Sequence, residues 1–180
     1  MQNSASPQKL KIALVCAFYS EGMGYSENCL SRALAKLGHE VHVITSTYNV
    51  YGNESMYEAT YSSFLGPAQV GPGTRTIDGY TLHRLPSTLV GGYVRMPGLT
   101  KAIREIAPNI VHTQEVASLQ TWELAVLRAR SRFKLFTETR QTMSVMRPYM
   151  REPRGALRKR LAYRLTRTVP TAICSLAVER

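Results

Sequence analysis

The stretch LKIALVCAFYSEGMGYSENCLSRALAKLGHEVHVIT, residues 10–45, contains two apolar runs separated by a glycine-bearing turn and a helical pattern. The first run, Leu10–Phe18, is almost continuously apolar, as in strands that are buried on both faces of a parallel sheet. Apolar residues then recur at helical spacing, and we expect Ser26 and Gly38 to cap the two ends of this helix. A second strand follows at Val41–Thr45. The stretch therefore predicts a strand–helix–strand unit with a right-handed crossover.

The turn before the helix contains Gly22, Met23 and Gly24. A helix that begins just beyond a buried strand points its free N–H groups and the positive end of its dipole at this place, which favours an anion. A nicotinamide dinucleotide is disfavoured, because Glu27 replaces the third glycine of that motif and no acidic residue ends the second strand. The lysine and hydroxyl residue of a P-loop are also missing. The turn by itself indicates either an anion site or only a packing requirement.

Composition predicts one globular domain. The 180 residues are 44% hydrophobic and 19% charged, which excludes a disordered chain. We interpret residues 1–9 as a polar tail and residues 10–180 as the domain. The net charge of +11 predicts an acidic partner. Cysteines 16, 29 and 174 lie far apart among apolar neighbours and are interpreted as buried thiols in a reducing compartment, without a metal site.

The rest of the chain alternates between strand and helix patterns. Residues 47–74 show no sustained period and predict a long loop or an irregular excursion, and the Asp78-Gly79 turn predicts a hairpin within Thr76–Leu85. Further predicted helices are Leu99–Ile106, Ala117–Arg130 and Gly155–Arg167, and further predicted strands are Asn109–Thr113, Phe133–Thr137 and Thr171–Ser175. The alternation predicts an α/β fold, Rossmann-like and doubly wound, with a mostly parallel sheet of about six to seven strands.

Ligands of such sheets collect at the carboxyl ends of the strands. The fourth strand ends with His112, Gln114 and Glu115, and the fifth is followed by Glu138 and Arg140. His112 beside a carboxylate is either a proton acceptor for a hydroxyl or a hydrogen-bonded structural group. Glu138 and Arg140 either line the same cleft or form an ion pair at its rim. The other histidines are interpreted as structural: His39, His42 and His83.

A basic stretch between residues 147 and 167 carries +7 of the net charge. Leucines fall four apart on one side of its predicted helix, as in a helix that rests on an anionic membrane, where each basic residue contributes about 1 kcal/mol. The candidates that would face a membrane are Arg154, Arg158, Lys159, Arg160 and Arg164. Alternatively, the leucines pack on the sheet and the arginines are solvated. Nucleic acid is not predicted as a partner, because the stretch lacks interleaved aromatic residues and a recognition motif.

Five segments together resemble a known family. They are KIALV (11–15), GMGYSE (22–27), LAKLGHEVHVIT (34–45), IDGYTLHRLP (77–86) and PNIVH (108–112). In this order and spacing they are similar to the N-terminal domain of the family 4 glycosyltransferases, which have the two-domain GT-B fold. The resemblance runs from about residue 10 to residue 180.

The resemblance implies retaining transfer of a sugar from a nucleotide diphosphate to an acceptor, in a cleft between two Rossmann-like domains. The glycine turn, residues 22–24, would face the donor diphosphate, and the five polar residues that follow the fourth and fifth strands would line the acceptor cleft. The nucleotide-diphosphate sugar is a co-substrate, and neither a cofactor nor a metal ion is implied. In the family, a C-terminal domain holds the nucleotide and a pair of glutamates, and we expect that domain to lie outside these 180 residues. We therefore expect the chain alone to be inactive.

Two positions depart from the family pattern. Many members have a second histidine where Gln114 stands and a histidine where Arg140 stands, so the catalytic residues are not assigned beyond the candidates His112 and Gln114. Some members reach lipid-linked acceptors, which favours a cytoplasmic protein that is peripheral on the inner face of a membrane. The alternative function is a non-catalytic α/β module that binds a phosphorylated ligand or partner.

Overall fold

The computed structural model describes residues 8–115, 118–139 and 171–175. The first half contains β1 (Lys11–Val15), α1 (Ser26–Lys36), β2 (Glu40–Ser46), α2 (Tyr57–Thr60), α3 (Ser62–Leu65), β3 (Gly73–Ile77) and β4 (Tyr80–Leu85). The second half contains β5 (Thr88–Val90), β6 (Tyr93–Arg95), α4 (Leu99–Ile106), β7 (Ile110–Gln114), α5 (Leu119–Arg128), β8 (Lys134–Thr139) and β9 (Thr171–Ser175). No helix in these ranges is long and apolar enough to cross a membrane.

Seven strands form one sheet in the order β3-β4-β2-β1-β7-β8-β9. Every neighbouring pair is parallel except β3 and β4, which are antiparallel. Asp78 and Gly79 connect these two with φ of 45° and 86°, as a two-residue hairpin turn requires. The sheet and the hairpin confirm the predicted Rossmann-like fold. The sequence did not predict the second, two-stranded sheet of β5 and β6.

Both faces of the sheet are covered, as the apolar first strand predicted. On one face, Ala13 of β1 belongs to a buried cluster that includes Leu99 of α4 and Leu124 of α5. On the other face, Leu14 belongs to a cluster against which Leu34 of α1 packs. Helix α1 therefore covers the face that carries Leu14, opposite α4 and α5.

One predicted cap of α1 is confirmed and the other is wrong. Gly38 has a left-handed φ of 87° and donates its N–H to the Ala35 carbonyl at 2.9 Å, so it caps the C-terminal end. Ser26 is the first helical residue rather than the N-terminal cap. The N-terminal cap is Tyr25, which has an extended backbone. Its carbonyl accepts the N–H of Asn28 at 3.0 Å, and its side chain makes no capping hydrogen bond.

Residues 47–74 form an irregular excursion rather than a long loop without regular structure, in agreement with one of the two interpretations of the sequence. They contain α2 and α3, and Tyr48 pairs with Gln69 in an isolated bridge. Each helix has only four residues, so neither is long enough to produce a periodic sequence pattern. The side chain of Asn49 holds the segment closed by donating to the carbonyls of Leu65 at 3.0 Å and Pro67 at 2.9 Å.

The cysteine interpretation holds in part. Cys16 is buried, but Cys29 is exposed because it lies on the outer side of α1, where its thiol donates to the Gly24 carbonyl at 3.6 Å. Strand β9 confirms the predicted last strand, and the side chain of Cys174 lies outside the described residues. The predicted basic helix, with Arg154, Arg158, Lys159, Arg160 and Arg164, lies outside them too, as does Arg140.

Candidate functional site

The parallel register brings the polar ends of β7 and β8 together beside β1. His112 is paired with Leu14, and Gln114 is paired with Glu138. Side chains two residues apart share a face of a strand, so His112, Gln114 and Glu138 all lie on the face of the sheet that α1 covers. These three residues, which the sequence placed at the ends of two different strands, therefore lie next to one another on the same face.

Helix α1 contributes a fourth polar residue, Glu27. Its Oε2 accepts a hydrogen bond of 2.8 Å from Nε2 of Gln114, although the two residues are 87 positions apart. Glu27 is only 6% exposed and Glu138 only 8%. These four residues, Glu27, His112, Gln114 and Glu138, are called the polar cluster below. They line one pocket together with Leu30.

His112 lies beside a buried carboxylate. Its Nε2 lies 3.8 Å from Oε2 of Glu138. Burial lowers the pKa of His112, and the carboxylate of Glu138 opposes this shift without reversing it. The imidazole is therefore neutral near pH 7 and has a ring nitrogen that can accept a proton, while the carboxylate would stabilise the imidazolium that results.

Within the described residues, nothing requires glycine at Gly22 or Gly24 in the glycine turn. Gly22 and Gly24 are exposed, and neither has a left-handed φ. A Cβ placed on either glycine would have no described residue within 4 Å. The turn is held from outside by an ion pair between Glu21 and Arg75, and by Asn28, whose Nδ2 donates to the Ser20 carbonyl at 3.1 Å. The packing interpretation of the two glycines therefore has no support among the described contacts.

Glu115 lies in the tight turn that follows β7. It has a left-handed φ of 64°, and its N–H donates to the Glu138 carbonyl at 2.7 Å. Its own carbonyl accepts the Thr121 hydroxyl at 2.9 Å, near the start of α5. These backbone contacts of Glu115 fix the connection from β7 to α5.

A family model described as "Glycosyl transferase 4-like domain" matches residues 21–176. The chain belongs to this family. The match includes the glycine turn, the polar cluster and the basic stretch. Together with the sheet, it identifies the chain as a Rossmann-like domain of the kind that forms one half of a GT-B glycosyltransferase. No curated protein matches the chain in the sequence comparison.

The glycosyltransferase domain also contains a buried arginine that the sequence analysis missed. Arg84 is 6% exposed, and its Nη2 donates to the Tyr19 carbonyl at 2.9 Å and to Oδ1 of Asn49 at 3.2 Å. Its Nη1 donates to the Ser46 carbonyl at 3.2 Å. Burial lowers the pKa of Arg84. The guanidinium therefore links two connections. One runs from β1 to the glycine turn, and the other follows β2. A sequence signal existed, since Arg84 continues the buried alternation of β4.

The histidines away from the polar cluster have structural contacts, as predicted. Nδ1 of His39 accepts the Leu10 N–H at 3.3 Å. The ring of His42 lies between His83, with 2.9 Å between Nδ1 and Nε2, and the Glu40 carboxylate at 3.0 Å. The contact between His42 and His83 joins β2 to β4, and the contact between His39 and Leu10 joins the residues that precede β2 and β1.

We expect the free energy of unfolding of the glycosyltransferase domain to fall as the pH is lowered from 7 to 5. Burial lowers the pKa of both His83 and His112 in the folded state, so below about pH 6.5 the unfolded state binds more protons. The stabilisation is complete above that pH and is lost as the pH falls, with a slope of at most about 1.4 kcal/mol per pH unit for each histidine. Urea unfolding at pH 5, 6 and 7 measures it.

Variants of the two histidines test whether they cause this pH dependence of the free energy of unfolding. His112→Gln and His83→Gln should each make the stability less dependent on pH, whereas Lys101→Gln, on the exposed side of α4, should leave the dependence unchanged. An unchanged slope in the double histidine variant would contradict the assignment.

Proposed function

We propose that this domain forms the acceptor side of a retaining glycosyltransferase that takes its sugar from a nucleotide diphosphate. The observation that carries the proposal is the pair of glycines, Gly22 and Gly24, which the described fold does not require and which lie directly before α1. A diphosphate that approaches this backbone would meet N–H groups and the positive end of the α1 dipole. Glycine leaves the backbone uncovered for that approach.

The charge of Glu27, in the first turn of α1, is compatible with this proposal. Its carboxylate is buried and accepts a hydrogen bond from Gln114 of β7, so it is engaged at the sheet. Gly22 and Gly24, in contrast, are exposed to solvent. The net charge of +11 adds a long-range attraction for a phosphorylated donor.

On the acceptor side, we propose that the polar cluster meets the hydroxyl group that receives the sugar. Neutral His112 would accept a hydrogen bond or the proton of that hydroxyl, and Glu138 would stabilise the charged ring. Gln114 would orient the hydroxyl without acting as a base. Glu115 and Arg140 are proposed as further lining residues of the acceptor cleft. The retaining outcome is proposed from the family, whose members hold the nucleotide in a C-terminal domain.

A transfer assay with the complete gene product tests the function. The expected result is transfer or hydrolysis of at least one uridine or guanosine diphosphate sugar, with the anomeric configuration retained in the product by proton NMR. The 180-residue chain should show no turnover by itself, since the donor's nucleotide would be held by the second domain. Binding of pyrophosphate without any turnover by the complete product would support the alternative, a non-catalytic module for a phosphorylated ligand.

We also propose that the protein is cytoplasmic and peripheral on an anionic membrane, through the basic stretch that includes Arg154, Arg158, Lys159, Arg160 and Arg164. The chain should float with vesicles that contain phosphatidylserine at low salt, and it should be released at high salt. Replacing these five residues by glutamine should weaken the binding more than about a hundredfold, whereas Lys101→Gln and Arg104→Gln on α4 should change it little. Flotation with neutral vesicles to the same extent, or no flotation at low salt, would contradict the proposal.

A further inference from the structure

An aromatic cluster stands beside the glycine turn, in the segment that leaves β2. The rings of Tyr51 and Tyr61 are stacked, with centroids 4.7 Å apart and planes 22° apart. Phe64 meets Tyr61 edge to face at 6.0 Å. We call these three residues, Tyr51, Tyr61 and Phe64, the aromatic platform.

The platform is joined directly to the glycine turn. Tyr25 follows Gly24 and is the N-terminal cap of α1, and its hydroxyl forms a 2.6 Å hydrogen bond with the hydroxyl of Tyr51. This bond raises the pKa of Tyr25 to about 12. Because β1 and β2 are parallel neighbours, the segments that follow them leave the same edge of the sheet. The platform and the proposed donor site therefore share that edge.

The platform leads from the core out to solvent, since the ring of Tyr61 also packs against the buried ring of Tyr57, with centroids 5.9 Å apart. Phe64 is 63% exposed, and Tyr51 and Tyr61 are half-buried. Tyr57 is the buried member of this aromatic group, and it anchors α2 by donating its hydroxyl to the Gly66 carbonyl at 3.2 Å. The exposed ring of Phe64 and the parts of Tyr51 and Tyr61 that reach solvent are held in fixed positions by these ring contacts, so a ligand that binds them costs little side-chain freedom.

The backbone of Tyr51 is strained in a way that serves this arrangement. Its φ is 64°, a left-handed value that is uncommon for a residue other than glycine and unfavourable for a bulky one. Gly52 fixes the turn by donating its N–H to the Asn49 carbonyl at 2.8 Å. The strained backbone turns the Tyr51 ring onto Tyr61 and its hydroxyl onto Tyr25.

We infer that the aromatic platform is a subsite for a pyranose ring of the acceptor, an inference that rests on the proposed function and names its acceptor as a saccharide. A pyranose has one flat C–H face, which suits an aromatic ring, and hydroxyl groups at its edge, which suit tyrosine hydroxyls. An acyl chain would gain more from a closed apolar groove than from an open surface bordered by phenol groups. The subsite lies at the edge where the glycine turn would hold the donor.

Saturation-transfer NMR of the 180-residue chain tests this subsite without a donor. The probes are the methyl glycosides of glucose, galactose and mannose, together with octyl β-glucoside below its micelle concentration. We expect saturation of the C–H protons of at least one pyranose face. For octyl β-glucoside, the sugar protons should be saturated more strongly than the octyl protons.

Two variants locate the binding. Phe64→Ala removes an exposed ring and Tyr61→Leu keeps apolar bulk, and each should weaken pyranoside binding about three- to tenfold. Tyr93→Ala, at an exposed tyrosine on β6, is the matched control and should bind as the unchanged chain does. Thermal unfolding of each variant verifies that it folds.

Three results would overturn the subsite: no saturation of any methyl pyranoside, equal binding by the platform variants and the unchanged chain, or stronger saturation of the octyl chain than of its sugar. The transfer assay tests the proposed function separately from this subsite. Platform-dependent pyranoside binding without any sugar transfer by the complete gene product would contradict the proposed function alone.

Discussion

Replacement of Arg84 by methionine is expected to lower the free energy of unfolding by about 3–5 kcal/mol. The guanidinium donates hydrogen bonds to the carbonyls of Tyr19 and Ser46 and to the side chain of Asn49. Arg84 is only 6% exposed, so water cannot easily replace these bonds. Methionine fills much of the volume but donates nothing. Each buried acceptor left without a partner costs about 1–3 kcal/mol. Together these costs outweigh the free energy gained because a charge is no longer buried.

The Arg84 measurement is urea unfolding at pH 7 with matched variants. Arg104→Met, at an exposed arginine on α4, should change the stability by less than about 0.5 kcal/mol. Arg84→Lys should also be strongly destabilised, because an ammonium group lacks the planar fork that reaches acceptors on two separate connections. A stability of Arg84→Met within 1 kcal/mol of the unchanged chain would show that the guanidinium does not tie these connections together.

The fold could be predicted because its main elements have strong local signals. The buried run of β1, the left-handed Gly38 and the Asp78-Gly79 hairpin turn each depend on neighbouring residues alone. The elements that were missed are the short ones. Three-residue strands such as β5 and β6, and the one-turn helices α2 and α3, have too few residues for a period to appear.

The candidate site could be predicted only in part, since its contacts span large sequence distances. The sequence placed His112 and Glu138 at strand ends, and the parallel register then brought them to 3.8 Å. Glu27 entered the sequence analysis only as a residue that replaces a glycine, because nothing local indicates that it accepts a hydrogen bond from Gln114. Arg84 was missed for the same reason, although its place in the alternation of β4 marked it as buried.

Replacement of Gly24 by valine is expected to reduce sugar transfer by the complete gene product about a hundredfold or more without destabilising the fold. The Cβ would meet no described residue within 4 Å, and the φ of Gly24 is not left-handed, so the chain accommodates a side chain there. A bound diphosphate would not. A charge-assisted hydrogen bond from the backbone is worth about 1.5–3 kcal/mol and 1.4 kcal/mol corresponds to a tenfold change, so displacing about two such bonds would account for a hundredfold loss.

Gly71 provides the matched control for this prediction. It too has no described neighbour within 4 Å of a Cβ and no left-handed φ, but it lies just before β3, outside the glycine turn. Gly71→Val should keep both stability and transfer. Gly24→Ala should keep or slightly raise the stability, because alanine restricts the unfolded chain, yet it should still weaken donor binding. Full transfer by Gly24→Val would show that the diphosphate does not approach this backbone, whereas a parallel loss of folding would show that the glycine serves the fold itself.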